Sequence, residues 1–376
     1  MKITIAPGDG IGPESMDVVL DVFEAAEVPL EIDQVTLGAA AERAGAADGV
    51  SAAARASIAR TGVLLRGPVA TSAGRERFEL GLRREYGAFA EKRVYRMLPG
   101  VPTPLGVREL DLTLIRELSA HAWPADERLV EDSVVQCSRF ATRASALRIH
   151  RYAFEIAARK GRRRVTCAHL ADEMKVAGGM FLDAFREVAA QHPQIAADDL
   201  PVDRLALRLL AEPETFEVLV LPDMPGDIVS YLAAGLVGGL DYAPTATIGE
   251  QVAVFAPLHD AAPGLAGRDL ANPTALLLSA TMMLRHVGLI DAAVTIERAL
   301  ERSLFQMHRR PDLLRYVTSF RTSVFRHLML TELRKERRGR PVAPRFGVLR
   351  GGSAVPGDAD AATSSSAFAQ QLDGLA

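Results

Sequence analysis

Short apolar segments alternate with longer helical ones along most of this chain. Six segments are short and apolar, and most end in Gly or Pro, as buried strands often do: KITIAP, VLLRGP, LTLIRE, RRVTCAH, FEVLVLP and VAVFAP. Residues 15–25, 141–160 and 275–286 are typical of helices, and the last of these is apolar enough to be buried. The alternation predicts an α/β fold with a largely parallel sheet.

The C-terminal part of the chain has a different pattern. Residues 311–330 carry apolar side chains at helical spacing, and residues 331–340 are dense in Lys and Arg. Residues 351–376 are rich in Gly, Ala, Ser and Asp, a composition typical of disorder. We interpret the basic segment as a solvated helix end that leads into a tail, and contact with a polyanion is the alternative.

Glycines mark two further features, and an asparagine marks a third. GDGIGPE, residues 8–14, joins the first predicted strand to the first predicted helix, an arrangement typical of nucleotide sites. Gly178 and Gly179 are small enough to let a helix approach a neighbour closely. Asn272 is placed to cap the helix predicted at 275–286.

Length and composition exclude several classes of protein. A chain of 376 residues has room for two to three domains, and its formal net charge of −3 gives no general attraction to nucleic acid or acidic membranes. Its two cysteines, Cys137 and Cys167, are too few for a disulfide framework. With no long apolar run and no secretory signal pattern, the sequence predicts a cytoplasmic protein without a membrane segment.

Four more motifs follow in one order: LPGVPTPL, LIRE, PGDIVSYLAAGLVGGL and HDAAPGLAGRDLANPTALLLSATMMLRHVGL. With the Gly-rich turn, they resemble the isocitrate and isopropylmalate dehydrogenase family, closest to subunits of NAD-dependent isocitrate dehydrogenase. The resemblance implies a two-domain α/β fold with a parallel or mixed sheet, an active-site cleft between the domains, and a dimer that shares residues across that cleft. The expected division is 1–98 with 249–331, then 99–248, with 332–376 as a basic and then disordered tail.

Members of this family oxidise a 2-hydroxy acid with NAD or NADP and release carbon dioxide with help from Mg²⁺ or Mn²⁺. That chemistry needs arginines for carboxylates, oxygen ligands for a cation, and an acid and a base. By resemblance, the substrate arginines are Arg83, Arg93 and Arg116. Arg77 and Glu79 stand where the family has small polar residues, and this charged pair would refill part of the pocket.

The metal and acid–base positions implied by the resemblance are incomplete. Asp203 and Asp227 match two metal-binding aspartates, but the third position is Tyr231, and Asp223 is a candidate replacement. Leu170 stands at the position of the family's base lysine, and Trp123 stands at the position of its tyrosine. His121 is a weak substitute as a proton donor. Leucine cannot titrate, and an indole has an N–H without a usable pKa.

The nucleotide side keeps part of the family pattern. His259 and Asn272 match residues that contact the adenine part of the cofactor, and Gly264 keeps a small residue in the adjoining loop. Ala256 replaces a family glutamate, and neither the NAD-selecting nor the NADP-selecting residues have a clear counterpart. NAD or NADP binding is therefore expected to be weakened.

Three hypotheses follow for the function. The favoured one is a noncatalytic or regulatory relative that binds a di- or tricarboxylate and a nucleotide, as a homodimer or with a catalytically intact relative. The second is an active NAD(P)-dependent oxidative decarboxylase with rewired acid–base residues. The third is an interaction scaffold that uses a basic C-terminal helix, with the residues Arg315, Arg321, Arg326 and Arg334.

Overall fold

The computed structural model describes residues 1–70, 78–103, 109–118, 126–309 and 320–339. The described strands are β1 (Lys2–Ala6), β2 (Glu31–Gln34), β3 (Val63–Arg66), β4 (Ala90–Arg96), β5 (Asp111–Glu117), β6 (Asp126–Glu131), β7 (Val134–Ser138), β8 (Arg164–His169), β9 (Ala196–Pro201), β10 (Val218–Leu221), β11 (Pro244–Ile248) and β12 (Ala253–Pro257). The described α-helices are α1 (Gly12–Ala25), α2 (Ala39–Arg43), α3 (Ala52–Thr61), α4 (Phe78–Glu85), α5 (Arg143–Arg159), α6 (Ala177–Ala189), α7 (Val202–Ala211), α8 (Asp223–Leu236), α9 (Thr274–His286), α10 (Ile290–Arg309) and α11 (Thr322–Gly339).

The strands form one large mixed sheet and one separate hairpin. The order in the ten-stranded sheet is β2-β1-β3-β12-β11-β4-β5-β10-β8-β9, and β6 pairs with β7. Both outer parts of the sheet are parallel, whereas β12, β11, β4 and β5 pair antiparallel in its centre. The prediction of an α/β fold with a parallel or mixed sheet is confirmed.

Each of the six apolar segments contains a strand, and the three predicted helices correspond to α1, α5 and α9. The strand β4, with the sequence AEKRVYR, was not predicted because four of its seven residues are charged. Its first four residues and Tyr95 are nevertheless buried. Burial of charged groups is favourable only when they are paired, and Glu91 and Arg93 pair both with each other and with residues from other parts of the chain.

Helix α9 lies within the core, as its apolar sequence predicts. Leu276, Leu277 and Met283 are fully buried, and burial of each such side chain stabilises the fold by about 1.5–3 kcal/mol. The close approach predicted at the glycine pair is also present: a Cβ atom on Gly178 would lie 2.6 Å from the carbonyl oxygen of Leu170. A Cβ atom added to Gly179 would have no heavy atom of a neighbouring segment within 4 Å, so only Gly178 is required for packing.

The basic C-terminal segment begins as a packed helix rather than as a tail. Helix α11 packs against α1 and α10, and it continues to Gly339, beyond the predicted start of the tail at residue 332. Glu332 and Leu333 are buried, and Arg302 of α10 donates to Glu332 at 2.9 Å. Arg326 pairs with Asp21 of α1. Arg315 and the segment 340–376 lie outside the described residues.

The predicted domain division stays a prediction, with one observation that bears on it. Strand β4, assigned to the first unit by that division, lies between β11 and β5, which were both assigned to the second. In the described part of the chain, no helix has the length and apolar character needed to cross a membrane. Cys137 is exposed and Cys167 is buried, and neither is in a disulfide.

Candidate functional site

Two neighbouring strands place two of the predicted substrate arginines beside a buried glutamate. Glu91 of β4 lies directly opposite Arg116 of β5 in the antiparallel register. Arg93 lies two residues after Glu91, and residues two apart in a strand share a face of the sheet. The three residues are only 2–4% exposed. The register therefore places the carboxylate of Glu91 beside both arginines without the help of a ligand.

Helix α8 adds two more carboxylates on the same side. Asp223 begins the helix directly after β10, and Asp227 lies one turn later on the same helical face. The helix can approach β5 because residue 226 is glycine: a Cβ atom there would lie 2.9 Å from Cγ of Arg116. A larger residue would push both aspartates away from the arginine.

Glu91 contacts all three predicted substrate arginines. Its Oε2 accepts hydrogen bonds from Arg93 Nη2 at 2.6 Å and from Arg116 Nη1 at 3.1 Å. Its Oε1 accepts from Arg83 Nη2 at 3.3 Å. Hydrogen bonds between ionised groups are stronger than neutral ones. Glu91 thus gives the arginines the kind of partner that a substrate carboxylate would otherwise supply.

Both aspartates of α8 are also engaged with arginines. Asp223 Oδ1 lies 2.6 Å from Arg116 Nη2 and accepts from its Nε at 2.9 Å. Asp227 Oδ1 accepts from Arg116 Nη1 at 2.6 Å and from Arg93 Nη2 at 2.9 Å. Arg93 Nη1 also donates to Ser230 Oγ. These contacts use oxygens that a metal ion would need.

A further ion pair extends the group towards β3. Arg66 Nη2 donates to Glu79 Oε1 at 2.5 Å, and the other oxygen of Glu79 lies 3.6 Å from Arg83 Nη2. We refer to the eight residues as the arginine–carboxylate cluster: Arg66, Arg83, Arg93, Arg116, Glu79, Glu91, Asp223 and Asp227. Four arginines face four carboxylates, so the cluster has no excess formal charge with which to attract an anion. Arg77 lies outside the described residues.

The pKa values in the cluster reflect burial and pairing. Desolvation opposes ionisation of Glu91, but the adjacent arginines, Arg93 most strongly, hold the pKa of its carboxyl well below the usual range. Desolvation likewise opposes protonation of Arg93, whereas Glu91 raises the pKa of that guanidinium. Burial raises the pKa of Asp223, against the opposing effect of Arg116. Ionised Glu91 is therefore the central anion of the cluster.

The predicted metal ligands do not form a cation site within one chain. Asp227 is paired with two arginines, and Tyr231, one turn later, is 47% exposed. Asp203 is exposed at the start of α7, after the edge strand β9, and Asp223 is held by Arg116. Across the described ranges, no three His, Cys, Asp or Glu residues are grouped as metal ligands would be. Among the described residues of one chain, the predicted ligands do not fit Mg²⁺ or Mn²⁺.

Leu170, at the altered base position, is not part of the cluster. Leu170 directly follows β8, which β10 separates from β5. Its backbone carbonyl accepts a hydrogen bond from Met174 N at 2.8 Å, and its side chain is aliphatic. His121 and Trp123 lie outside the described residues. Leu170 and Asp203 both belong to the β8–β9 side of the sheet.

The Gly-rich turn is packed against other backbone segments. Asp9 N donates to the carbonyl oxygen of Pro68 at 2.8 Å, and Ile11 N donates to that of Ala261 at 2.9 Å. Gly10 has a φ of +59°, and a Cβ atom there would lie 1.8 Å from the Ala261 oxygen. The glycine is thus required by the contact between this turn and the loop after β12.

The predicted nucleotide residues differ in how far their polar atoms are already engaged. Asn272 Oδ1 accepts from Thr274 N at 3.1 Å and from Thr274 Oγ1 at 2.6 Å, so it contacts the first residue of α9, although the N-cap position itself is Pro273. His259 Nδ1 donates to the carbonyl oxygen of Asp260 at 3.0 Å, and its buried Nε2 has no hydrogen-bond partner among the described residues. Gly264 is exposed, with no atom that would contact an added Cβ.

Replacement of Gly10 tests the structural role of the turn. We expect Gly10→Ala to lower the free energy of unfolding by about 1–3 kcal/mol, because alanine disfavours a positive φ and would collide with the backbone of Ala261. Gly264→Ala is the matched control, with an expected change within about 0.5 kcal/mol. Urea unfolding followed by circular dichroism measures both. Equal effects of the two substitutions would contradict the structural role.

The residues that sequence reasoning missed are Glu91 and Arg66. Both lie in buried strands, and a buried charged residue in a strand is the signal that could have identified them. Arg66 lies in VLLRGP, one of the predicted buried strands, whereas nothing in the sequence analysis indicated that Glu91 was buried.

Comparisons of the sequence and of the structure with known proteins identify the same family. The family described as isocitrate/isopropylmalate dehydrogenase matches residues 2–328. The chain is 42% identical over 300 residues to isocitrate dehydrogenase (NADP) of Thermus thermophilus, which covers 79% of this chain and 60% of that enzyme. It is 37% identical over 306 residues to a mitochondrial regulatory subunit of isocitrate dehydrogenase (NAD) from Dictyostelium discoideum, with 81% and 84% covered.

A solved structure has the same fold. Isocitrate dehydrogenase from Methylococcus capsulatus matches with a TM-score of 0.79 and 32% sequence identity, over 89% of this chain and 99% of that one. The chain spans less than two thirds of the length of the Thermus enzyme.

Proposed function

Because the chain belongs to the isocitrate/isopropylmalate dehydrogenase family, we propose that it is a noncatalytic member that acts by binding. The observation that carries this proposal is the pairing of Arg83, Arg93 and Arg116 with the chain's own carboxylates. A substrate acid would have to displace buried Glu91 from three arginines. The name of the Dictyostelium relative, which calls it regulatory, is in keeping with such a role.

The residues at the acid–base positions support the same proposal. Leucine at 170 cannot accept a proton, and tryptophan at 123 cannot supply one at neutral pH. General acid–base groups typically contribute about 10²–10⁴-fold each to the rate. Without them, positioning alone would leave little turnover, and the pairing of Asp227 with two arginines disfavours a catalytic cation.

We propose that nucleotide and carboxylate ligands bind weakly at the family positions. A bound nucleotide would find one unpaired acceptor at His259 Nε2, whereas Asn272 Oδ1 is already engaged by Thr274. A di- or tricarboxylate would meet a cluster without excess positive charge. A cytoplasmic location is part of the proposal, since exposed Cys137 is a free thiol, as is usual in a reducing compartment.

An assay of turnover tests the proposal. We expect no NADH or NADPH formation with isocitrate, 3-isopropylmalate, homoisocitrate or tartrate in the presence of Mn²⁺, under conditions in which an intact family member is active. The triple variant Leu170→Lys, Trp123→Tyr, Tyr231→Asp should remain inactive, because Glu91 still holds the arginines.

Two results of this assay have different meanings. Turnover by the unsubstituted chain that Arg116→Ala abolishes would overturn the proposed function. Activity of the triple variant alone would leave the chain noncatalytic but would show that a substrate can open the arginine–carboxylate cluster.

We further propose that a second copy of the chain covers an apolar surface on α7 and α8. The two helices pack together. Leu207 and Leu210 of α7 are 69% and 44% exposed, and Ile228 of α8 is 65% exposed, with Tyr231 beside it. Such a patch on a soluble protein marks a contact surface. An intact relative of the same family is the alternative partner.

The β6–β7 hairpin offers a second apolar surface for the same contact. Leu129, Val130, Val134 and Val135 are all exposed. In the described part of the molecule, the two strands pack mainly against each other. An isolated two-stranded hairpin is at best marginally stable in water, so contact with a partner would stabilise it.

A further inference from the structure

One of the few lysines in this chain lines two cavities. The lysines of the sequence are Lys2, Lys92, Lys160, Lys175 and Lys335. Lys160 directly follows α5, is half-buried, and lines one cavity of about 460 Å³ and another of about 520 Å³. Both volumes are usual for sites that bind small molecules, so a small reagent has room beside its side chain. None of the substrate, metal or nucleotide residues predicted from the sequence lines either cavity.

The amino group of Lys160 has a neutral partner. Its Nζ donates to Thr113 Oγ1 of β5 at 3.4 Å. Both carboxylates that line the first cavity are engaged by arginines, in the pairs Arg162–Asp111 at 2.6 Å and Arg285–Glu297 at 2.9 Å. Lys160 itself is in no ion pair with any carboxylate that the structure describes. A hydroxyl partner compensates the charge of a half-buried ammonium group less well than a carboxylate does.

The surroundings of Lys160 favour its neutral form. Burial has the largest effect, and the pKa of the ammonium group is lowered from 10.5 to about 8, since the nearby cations lower it further than the nearby anions raise it. The charged groups that face it are the cations Arg162, Arg285 and Lys92 and the anions Asp111 and Glu297. At about pH 7.5, roughly a quarter of such groups are free amines, against roughly one in a thousand for an ordinary lysine. The free amine, rather than the ammonium ion, is the nucleophile.

The other lysines lack this combination of access and a neutral partner. Lys2 and Lys335 each pair with a glutamate, at 2.7 Å and 2.5 Å. Lys92 is only 2% exposed, so a reagent has little access to it. Lys175 is exposed, and water compensates its charge. Of these residues, Lys160 is therefore the one expected to react as a free amine near neutral pH.

We propose that Lys160 is a modification site that takes an acyl group from a small acyl phosphate or acyl thioester. The neutral Nζ attacks the carbonyl carbon, and a C–N bond forms. The bond from that carbon to the phosphate oxygen or the thioester sulfur breaks, and the leaving group keeps the electron pair. The proton lost from Nζ passes to water. The product is an uncharged amide, which suits a half-buried position where the ammonium ion is disfavoured.

The proposed modification is separate from the proposed function. No residue of the arginine–carboxylate cluster lines either cavity, and the acyl transfer needs no metal ion, nucleotide or 2-hydroxy acid. A failure of one proposal therefore leaves the other unaffected.

Timed acetylation of the full chain tests the proposal, with acetyl phosphate in one arm and acetyl coenzyme A in the other. Peptide mapping by mass spectrometry, after digestion by a protease that does not cut at Lys or Arg, gives the acetylated fraction of each lysine. At about pH 7.5, we expect Lys160 to react about tenfold faster than Lys175 with at least one donor, because its larger free-amine fraction outweighs its lower basicity. The donor that reacts distinguishes the phosphate source from the thioester source. In urea, the two lysines of the unfolded chain should react within about threefold of each other.

The pH dependence of the same reaction separates activation of the amine from simple access to it. The rate at Lys160 should level off above about pH 8, where the amine is mostly free, whereas the rate at Lys175 should continue to rise towards about pH 10. A group that was merely accessible would follow the second profile.

Two variants test the cause of the activation. Arg162→Gln should move the midpoint of the Lys160 profile to higher pH, because it removes a nearby cation and releases Asp111 from its pair. Arg163→Gln is the matched control: it is the next residue, is exposed and pairs with Glu217, so the midpoint should stay unchanged. Equal midpoints in the two folded variants would contradict the activation of Lys160 by its surroundings.

Two outcomes in the unsubstituted chain would overturn the proposal, whether or not either variant folds. One is acetylation of Lys160 no faster than that of Lys175 with both donors. The other is a rate at Lys160 that rises with pH as it does at Lys175, which would show an ordinary lysine. Faster acetylation of Lys160 in the folded chain, with loss of the difference in urea, supports the site.

Discussion

The Glu91→Gln variant is expected to lose about 3–5 kcal/mol of unfolding free energy, the usual cost of removing one partner from a buried ion pair. Glu91 is 3% exposed and accepts hydrogen bonds from three arginines. Glutamine has nearly the same shape but no charge, so the substitution leaves the guanidinium groups with less compensation. Chemical denaturation monitored by circular dichroism measures the loss.

Glu79→Gln is the matched control for this experiment. Glu79 belongs to the same cluster, but its side chain is 43% exposed, and water screens its pairs with Arg66 and Arg83. We expect a loss of about 1 kcal/mol or less. Similar losses in the two variants would contradict the central position of Glu91 in the cluster.

The same carboxylate makes stability depend on pH in a defined direction. Because the folded protein lowers the pKa of Glu91 below its ordinary value of 4.5, the folded state binds fewer protons there than the unfolded state. The stabilisation is complete above pH 4.5 and is lost as the pH falls below that value. Glu91→Gln should therefore show a weaker loss of stability on acidification than the unsubstituted protein. An unchanged acid dependence would argue against an ionised Glu91.

The Ile228→Asp variant is expected to dissociate the dimer proposed above, with a dissociation constant raised by about 10³-fold. Ile228 is 65% exposed in a single chain, and we place it in the contact between two copies. Burial of an unpaired carboxylate is strongly unfavourable. In a contact with two-fold symmetry, both copies carry the substitution, so its unfavourable effect on association occurs twice. Light scattering after size exclusion should change from twice the chain mass of 40.4 kDa to the chain mass itself.

Leu265→Asp is the control for self-association. Leu265 is 39% exposed in the loop after β12, away from α7 and α8, so the same change of chemistry there should leave the dimer intact. A monomeric unsubstituted protein that becomes dimeric only when an intact relative is added would favour a mixed assembly. A dimer that survives Ile228→Asp would show that the helices α7 and α8 do not form the contact.

The sequence was most informative where a residue's environment follows from its neighbours in the chain. LTLIRE and FEVLVLP are apolar throughout their centres, and both form central strands. Asn272 lies two residues before α9 and accepts a hydrogen bond from its first residue, Thr274. The family resemblance extended this reasoning to the fold and to three arginines, and the family and the fold are confirmed. The roles expected for those arginines, and for the nucleotide and metal residues, stay predictions.

The sequence was least informative where charged residues are buried by distant partners. The segment AEKRVYR looks like a polar surface segment, yet it forms β4 and carries both Glu91 and Lys92 into the interior. Glu91 and Lys92 then lie on opposite faces of the sheet, because successive residues of a strand point to opposite sides. The arginine–carboxylate cluster has no signature in the local sequence.

By itself, the sequence determined the alternation of strands and helices, the family, and the positions of the arginines. Only the tertiary structure decided what those arginines bind. Arg116 and Asp227 are 111 residues apart in the chain, yet their side-chain atoms lie 2.6 Å apart. An ion pair depends on distance and burial in space, and both are set by how α8 packs against β5 rather than by either segment alone.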